Sequence, residues 1–596
     1  MKKLLLFALL SLSSTISFSQ STAWRAKVSA EILSALNEGH SADLLVVFRE
    51  QADISGARFL KTKSEKAHFV YQRLMETAMR SQANAVRLLR EKDASVNGLY
   101  LVNALAVKKA DLQLVRLLAE LPEVRWLGAD PWVQFEGPVE TSLAAPTAAG
   151  RGAVEWGVER INAPAVWALG YTGQGVTIGG ADTGYDWVHP TLQPHYRGWD
   201  NFSGTAQHHY NWHDAIHDFS PLNYDTLGNP VGTNPCGFNA PAPCDDGSHG
   251  THTMGTMVGD DGLGNQIGVA PGASWVGCRN MERGWGQPST YLECFQWFLA
   301  PTDLNGQNQD PSKAPHVINN SWYCATIEGC TDFIINDLLR VAIVNLKASG
   351  VFVVVSNGNF GPNCGSTYAP PAYFEESFSI GATRFDDTIA TFSSRGPVLV
   401  DGSNRLKPEV AAPGQFVRSC TPNGNYAAFS GTSMAGPHVA GLVALVLSAR
   451  PDLAGQVELI ENFIKETAVP IGDTSNCGIP SGQTPNHAYG HGRVNALAAV
   501  NAALAYNQVS APEAPAPQAR VFPNPVTDEA IFDIQNTVGK TVLDVFSSDG
   551  RLVYSKNWTA QYRELVQVSM KNNPSGIYFW QIKTTTGTAS GRLVKE

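Results

Sequence analysis

The sequence predicts an α/β protein whose main domain is a mostly parallel sheet with helices on both faces. Between about 153 and 505, continuous apolar runs such as GVTIGGA, HVINNS and VFVVVSN alternate with longer segments such as TYLECFQWFLA and TDFIINDLLRVAIVNLKASG. Strands that are apolar throughout suit a sheet buried on both faces, and the alternation with helices suits parallel crossovers. The runs richest in small residues fall at strand ends or helix starts, where ligands bind in such sheets. A small α/β unit precedes this domain and a small all-β unit follows it.

The length, 596 residues, suggests about three or four domains. MKKLLLFALLSLSSTISFSQ has a basic start, a short apolar core and small residues at its end. It reads as a signal peptide over residues 1–19, cut near Ser19–Gln20. In residues 20–152, DLLVVF at 43–48 reads as a strand, and 60–93 as an amphipathic helical stretch with Phe69, Val70, Leu74, Ala78, Val86 and Leu89 among charges. LYLVNALAV at 99–107 reads as a strand, ADLQLVRLLAEL as a helix and EVRWLGA as a strand. EGPVETSLAAPTAAGRG is expected to be an exposed linker and a cutting site. The main domain then runs from 153 to 505. YNQVSAPEAPAPQA, at 506–519, is a Pro/Ala linker. The last unit, 520–596, contains TVLDVFSSDGRLVYS, a strand, an Asp-Gly turn and a strand.

Composition excludes some partners. A net charge of -10 and a pI near 5.8 argue against a nucleic-acid or anionic-membrane binder. Beyond the signal peptide, no segment reads as transmembrane. All nine cysteines lie between Cys236 and Cys477, and an exported chain can keep disulfides. Cys236/Cys244 and Cys324/Cys330 are close enough for local bridges, but spacing does not fix the pairing. An odd count leaves at least one thiol unpaired within the monomer.

Three runs carry candidate chemistry. GVTIGGADTGYDWVHP puts Asp182 at the end of an apolar strand, and DDGSHGTHTMGTMVG puts His249 at a helix start. FSGTSMAGPHVAG, just before LVALVL, puts Ser433 at or near the start of a buried helix, with Pro437 expected in its first turn. Free N–H groups and the positive dipole end gather there, which suits a nucleophile whose attack creates an oxyanion. Acyl transfer by serine needs that nucleophile, a base for its proton and a carboxylate to orient the base. Taken singly, each residue has a bland structural reading: a strand-end Asp, a helix-start His, a capping Ser in a tight helix contact. HHYNWHDAIHD, with His208, His209, His213 and His217, is expected to be a solvated insertion rather than a zinc site, lacking Cys partners or an E-x-x-H spacing.

The residues from about 153 to 505 resemble the catalytic domain of the subtilisin-like (S8, subtilase) serine peptidases. WGVERINAPAVWALGYTGQGVTIGGADTG, SHGTHTMGT, IGVAPGA, VINNSW, VVVSNGNFG, KPEVAAPG and GTSMAGPHVAG occur in the family's order. FQWFLAPTD and VINNSW resemble the bacillopeptidase F-like branch. The chain order Asp, His, Ser is the subtilisin order, not that of chymotrypsin or α/β-hydrolases. The resemblance implies Ser433 as nucleophile, His249 as general base, Asp182 as its orienter and Asn359 as oxyanion donor. It implies substrate contacts at Ser321, Trp322, Gly358 and the segment Gly284, Trp285 and Gly286. It makes His252 a packing residue. It implies no cofactor for catalysis; structural calcium has no ligands assigned, because the loop around DDGLGNQIGVAPG is shorter than in the best-known members.

The flanking units carry resemblances of their own. Residues 40–136 resemble the subtilase I9-type propeptide, through SVNGLYLVNALAVKKADLQLVRLLAELPEVRWLGADP, which would act as inhibitor of its own enzyme. Residues 520–596 resemble the sorting domain of type IX secretion substrates, through VFPNPV, DVFSSDGRLV, SGIYFWQI and RLVKE. Together these imply a serine endopeptidase acting on protein or peptide substrates. They imply export from a Gram-negative bacterium through the periplasm by the type IX machinery, to the medium or the outer cell surface. The rival readings are an inactive subtilase-like binding protein and a serine esterase. GTSMA lacks the second Gly of G-x-S-x-G, which disfavours the esterase.

Overall fold

The structure, a computed structural model, describes residues 23–596 except 136, 143–152, 226–228, 232–233, 325–329, 331, 476, 507–515, 538, 561–562 and 585–586. The expected signal peptide and most of both expected linkers lie outside the described residues. The chain divides into two compact units. One holds Thr62–Tyr506 with the N-terminal residues up to Ala52, and the other holds Asn507–Glu596 with Asp53–Lys61.

Within the first unit, an N-terminal lobe is built on four antiparallel strands: β1 (Ala42–Phe48), β2 (Val96–Leu99), β3 (Ala104–Ala110) and β4 (Val124–Ala129), in the order β2-β3-β1-β4. Leu44, Val46 and Phe48 of β1 share one core with Ile32 and Leu36 of α1 (Ala30–Asn37), Ala85 and Leu89 of α3 (Ala83–Glu91) and Leu118 of α4 (Leu112–Glu120). Leu45 and Val47, on the other face, are buried as well. The sequence shows this as an unbroken apolar run rather than an alternation.

Two expectations change here. The helical stretch 60–93 is two helices, α2 (Lys63–Ser81) and α3, because Gln82 ends the first and turns its amide to Asn103 and Ala104. The expected strand 99–107 is broken. Tyr100–Val102 makes a 3-10 turn and Asn103 takes a left-handed φ of 49°, which Asn tolerates, so β2 and β3 pair back on each other.

The main domain has a seven-stranded parallel sheet. Its strands are β5 (Thr177–Asp182), β6 (Trp212–Asp214), β7 (Ser274–Arg279), β8 (Val317–Asn320), β9 (Phe352–Ser356), β10 (Phe378–Thr383) and β11 (Val410–Pro413), in the order β6-β7-β5-β8-β9-β10-β11. Helix α5 (His249–Val258) packs with α8 (Thr432–Ala449), and α6 (Pro288–Leu299) with α7 (Phe333–Ala348). Neighbouring strand residues point to opposite faces. Asn319 faces Gly436 of α8, while Ile318 and Gly179 face Phe298 of α6, so the two helix pairs cover opposite faces.

Three further findings correct or complete the sequence reading. The segment 208–217 is not a solvated insertion: β6 lies within it as the edge of the main sheet, and Trp212, Asp214, Ala215 and Ile216 are buried. Pro437 lies inside α8 rather than in its first turn. A helix residue four before a proline loses its acceptor's partner; here that orphan is the Ser433 carbonyl, which accepts from Ser321 Oγ at 2.9 Å. The cysteines pair as Cys236–Cys244, Cys278–Cys294, Cys324–Cys330 and Cys364–Cys477, leaving Cys420 free and buried.

In the second unit, Asp53–Lys61 carries a 3-10 turn (Ser55–Phe59) and the C-terminal part is all-β. That part has a three-stranded sheet (Gln518–Phe522, Glu529–Gln535, Arg563–Ser569) and a four-stranded sheet (Leu552–Ala560, Gly539–Ser547, Gly576–Thr584, Gly587–Lys595). They share a core of Phe532, Ile534, Leu543, Val545, Val566 and Ile582.

Candidate active site

The parallel sheet brings Asp182 and His249 together from 67 residues apart in sequence. Asp182 ends β5 and is 1% exposed; His249 opens α5 and is 3% exposed. His249 Nδ1 lies 2.8 Å from Asp182 Oδ1 and 2.9 Å from Oδ2. Asp182 Oδ1 also accepts from Thr183 N at 2.7 Å. A carboxylate paired with Nδ1 fixes the tautomer that leaves Nε2 open as a proton acceptor. Among the described residues, His249 Nε2 is buried without a hydrogen-bond partner. Gly250 permits the approach, since a Cβ there would lie 2.1 Å from the Gly184 carbonyl oxygen and 3.1 Å from Asp182 Cβ.

Asp245 holds this corner, and the sequence reading gave it no role. Its Oδ1 accepts from Gly247 N, Ser248 N and Thr183 Oγ1, and its Oδ2 from Thr251 N and Oγ1, all within 2.9 Å. It therefore caps α5 and ties it to the end of β5, while Ser248, at φ 64°, makes no side-chain cap. Burial pushes the Asp245 carboxyl pKa up, against these hydrogen bonds. The available signal was its place three residues before Ser248 and six before Thr251, the spacing of a first-turn cap.

Ser433 sits in the first turn of α8 and is 1% exposed. Its Oγ donates to Ser321 O at 3.1 Å. Asn359 Oδ1 accepts from Thr432 N and Thr432 Oγ1, both at 2.9 Å. That fixes the amide and turns Nδ2 away from Thr432, where it is buried and unpartnered among the described residues. A Cβ placed on Gly431 would lie 3.5 Å from Asn359 Nδ2 and 3.7 Å from Ser433 N. Both donors thus border one small space beside Ser433. Gly358 N donates to Thr432 Oγ1 at 3.2 Å, which locks the asparagine loop to the helix start. Trp322 is fully buried and stacked on Tyr291 at 4.2 Å.

The N-terminal lobe runs its tail into this cleft. Val133–Gln134 pairs antiparallel with Trp285–Gly286, and Phe135 N donates to Gly284 O at 2.8 Å. The Phe135 ring meets the rings of His249 at 5.1 Å and Tyr323 at 5.5 Å, both edge-on. Further along, Val139 N donates to Ser430 O at 2.8 Å, and Glu140–Ser142 pairs with Ala428–Ser430. The last pairing places strand where the sequence reading expected an exposed linker to begin. Phe135 lies in DPWVQFEGP, the tail that the propeptide resemblance puts in the cleft until it is cut; Tyr323 carried no sequence motif.

Other candidates fall outside the cleft chemistry. His252 stacks on Phe429 at 4.2 Å, and burial with the nearby His249 pushes its pKa down to about 3, so it packs as a neutral ring. His438 is buried, with Nδ1 on the Met434 carbonyl. His208 bonds Tyr196, His209 accepts from Leu304 N, and His213 and His217 each place Nε2 2.8 Å from Glu293 Oε1. Among the described residues, no group of three or more His, Cys, Asp or Glu is arranged to hold a metal ion. In the loop considered for calcium, the carboxylates serve the chain itself: Asp260 accepts from Gly262 N, and Asp261 from Leu263 N, Asn265 N and Asn265 Nδ2.

A parallel α/β sheet that presents a buried Asp–His pair, a helix-start serine and two convergent N–H donors defines a serine hydrolase type of site. The chain belongs to the subtilase family, whose model matches residues 173–492, and that family consists of serine-type endopeptidases. A secretion system C-terminal sorting domain matches residues 520–596. Bacillopeptidase F of Bacillus subtilis (strain 168) is 35% identical over 456 residues, 74% of this chain and 29% of that protein. Subtilisin E of the same strain is 28% identical over 416 residues, 70% of this chain and 88% of that protein. M-protease of Shouchella clausii is 29% identical over 379 residues, 63% of this chain and 76% of that protein. The chain thus spans less than a third of bacillopeptidase F but most of the two shorter relatives.

Proposed function

We propose that this chain is a secreted serine endopeptidase in which Ser433, His249, Asp182 and Asn359 do the chemistry. The observation that carries the reading is two buried groups that have no hydrogen-bond partner among the described residues: His249 Nε2, left open to take a proton by the Asp182 pairing at Nδ1, and Asn359 Nδ2, which borders the space beside Ser433 and can donate to an oxyanion. Ser433 Oγ turns from Ser321 O toward His249 Nε2, gives up its proton there and bonds to the substrate carbonyl carbon. Resting-state hydrogen bonds of this kind often tighten only with substrate bound. The carbonyl electrons move onto oxygen, stabilised by Asn359 Nδ2 and Ser433 N. As the tetrahedral species collapses, the C–N bond breaks and His249 returns its proton to the leaving amine. Water then repeats the sequence on the acyl-enzyme. Asp182 holds the imidazole tautomer and stabilises its cation throughout. No cofactor enters these steps.

The lobe at 20–152 acts as a propeptide. Its tail occupies the cleft as an added strand on Gly284–Gly286, which supports those residues as the substrate-pairing edge. We assign Ser321, Trp322 and Gly358 to substrate binding as well; Ser321 Oγ bonds the Ser433 carbonyl and Gly358 N bonds Thr432 Oγ1, which puts two of the three next to the nucleophile. The 520–596 module addresses the protein to the type IX machinery, with release to the medium or the outer surface. Peptide hydrolysis tests the reading. Full-length protein should self-process and cleave casein, and Ser433→Ala should do neither; a Ser433→Ala chain that still cleaves casein would sink it.

A further inference from the structure

Resting on the peptidase reading, we propose that the rings of Tyr323 and His249 form a recess that selects an aromatic side chain on the substrate. The selected position is the one that the chain's own Phe135 occupies.

The backbone fixes that position. Phe135 continues the strand that pairs with Trp285–Gly286, and its N–H is held by Gly284 O. A peptide laid on the same edge in the same register puts a side chain at the same point. Strand side chains alternate. Val133 and Phe135 are 1% and 5% exposed, whereas Gln134 between them is exposed. The cleft therefore reads the first and third of these side chains and ignores the second.

The recess is aromatic on both sides. The Phe135 ring lies at 68° to the His249 ring and 71° to the Tyr323 ring, both in edge contact. Aromatic rings prefer such edge-to-face arrangements. Tyr323 is supported from behind: its ring is 4.9 Å from that of Phe360, which is 4.6 Å from that of Tyr368. This row of rings belongs to the main domain, so the recess does not depend on Phe135 for its wall. An alanine in place of the phenylalanine would leave the gap between two rings unfilled. His249 is common to any substrate of this site, which leaves Tyr323 as the residue that sets the preference.

The test uses the processed enzyme and internally quenched peptides of residues 130–142, DPWVQFEGPVETS. Replacing Phe135 by Ala in the peptide should lower kcat/KM about 10- to 100-fold, the range of hydrophobic-pocket selectivity. Replacing Gln134 by Ala should change it less than about 3-fold. In Tyr323→Ala enzyme the Phe/Ala ratio of kcat/KM should shrink to about 3 or less, and Tyr323→Phe should restore the ratio. Equal cleavage of the Phe and Ala peptides, or an unchanged ratio in Tyr323→Ala, overturns the proposal. If no peptide is cut by enzyme that still digests casein, their inhibition of casein digestion reads the same contact, and equal inhibition overturns it. Absence of casein hydrolysis and of Ser433 labelling by a fluorophosphonate would instead sink the peptidase reading, and the recess with it.

Discussion

Replacing Asn359 by Ala should separate catalysis from binding. The side chain does two jobs through two atoms. Nδ2 is one of two donors facing the space beside Ser433, and Oδ1 accepts two hydrogen bonds from Thr432. Loss of Nδ2 removes one oxyanion donor while Ser433 N remains. The barrier should rise by about 3 kcal/mol, so kcat falls about 100- to 1000-fold; that general figure comes from a subtilisin, a relative of this chain, and is carried over. KM should barely move, because the oxyanion exists only along the reaction path. Loss of Oδ1 leaves Thr432 N and Oγ1 short of an acceptor at the start of α8. That should cost about 1–3 kcal/mol of stability, seen as a drop of a few degrees in Tm. The assay is steady-state hydrolysis of a peptide substrate by variant matured in trans by wild-type enzyme, with a thermal melt alongside. A fall in kcat below about 10-fold, or a defect mainly in KM, would refute the role given to Nδ2.

Three further outcomes follow from other parts of the molecule. Asp130 is buried between the lobe and α6, accepting from Ser289 N at 2.9 Å and Ser289 Oγ at 2.6 Å, so Asp130→Ala should weaken inhibition by the lobe about 10- to 100-fold, read as a shorter lag before casein hydrolysis. Lys63 of the lobe is buried with Nζ on the Ala314 carbonyl, and burial with the nearby Arg197 lowers its pKa from 10.5 to about 7. The docked lobe then binds fewer protons than the released lobe between about pH 7 and 10.5. Docking should strengthen as pH rises through that window and stay level below it, so the lag should lengthen from pH 7 to pH 9 relative to Lys63→Met. An equal pH trend in both proteins would contradict this. Truncation after Asn507 should leave a protease of near-normal activity held in the periplasm; wild-type levels in the medium would refute the sorting role.

Much of the site was legible because its chemistry sits in short local runs. The end of β5, the start of α5 and the start of α8 are each marked by small residues around one polar side chain, and the sheet brings them together. The continuous apolar strands likewise showed a sheet buried on both faces. What escaped reading depends on contacts between distant segments. Asp245 was inside a quoted run, yet its capping of α5 depends on the left-handed Ser248 that no motif marks. Trp212 and Asp214 read as part of a polar histidine-rich insertion, because three residues of edge strand are too few to show a pattern. The tail DPWVQFEGP was expected in the cleft, but the contact of Phe135 with Tyr323, across 188 positions of chain, was not legible, because Tyr323 is not unusual in its own neighbourhood. Pro437 was read from helix-start preference alone. The rule missed that the Ser433 carbonyl it leaves unpaired is taken up by Ser321.

The central claim is that Ser433 is the nucleophile of a peptidase, and covalent labelling tests it most directly. Processed protein would be treated with a fluorophosphonate, digested and mapped by mass spectrometry, with casein hydrolysis followed in the same samples. The account predicts a single modified residue, Ser433, with activity falling in proportion to labelling, and no labelling in His249→Ala. Modification at another serine with loss of activity, or full casein hydrolysis after Ser433 is modified, would contradict it.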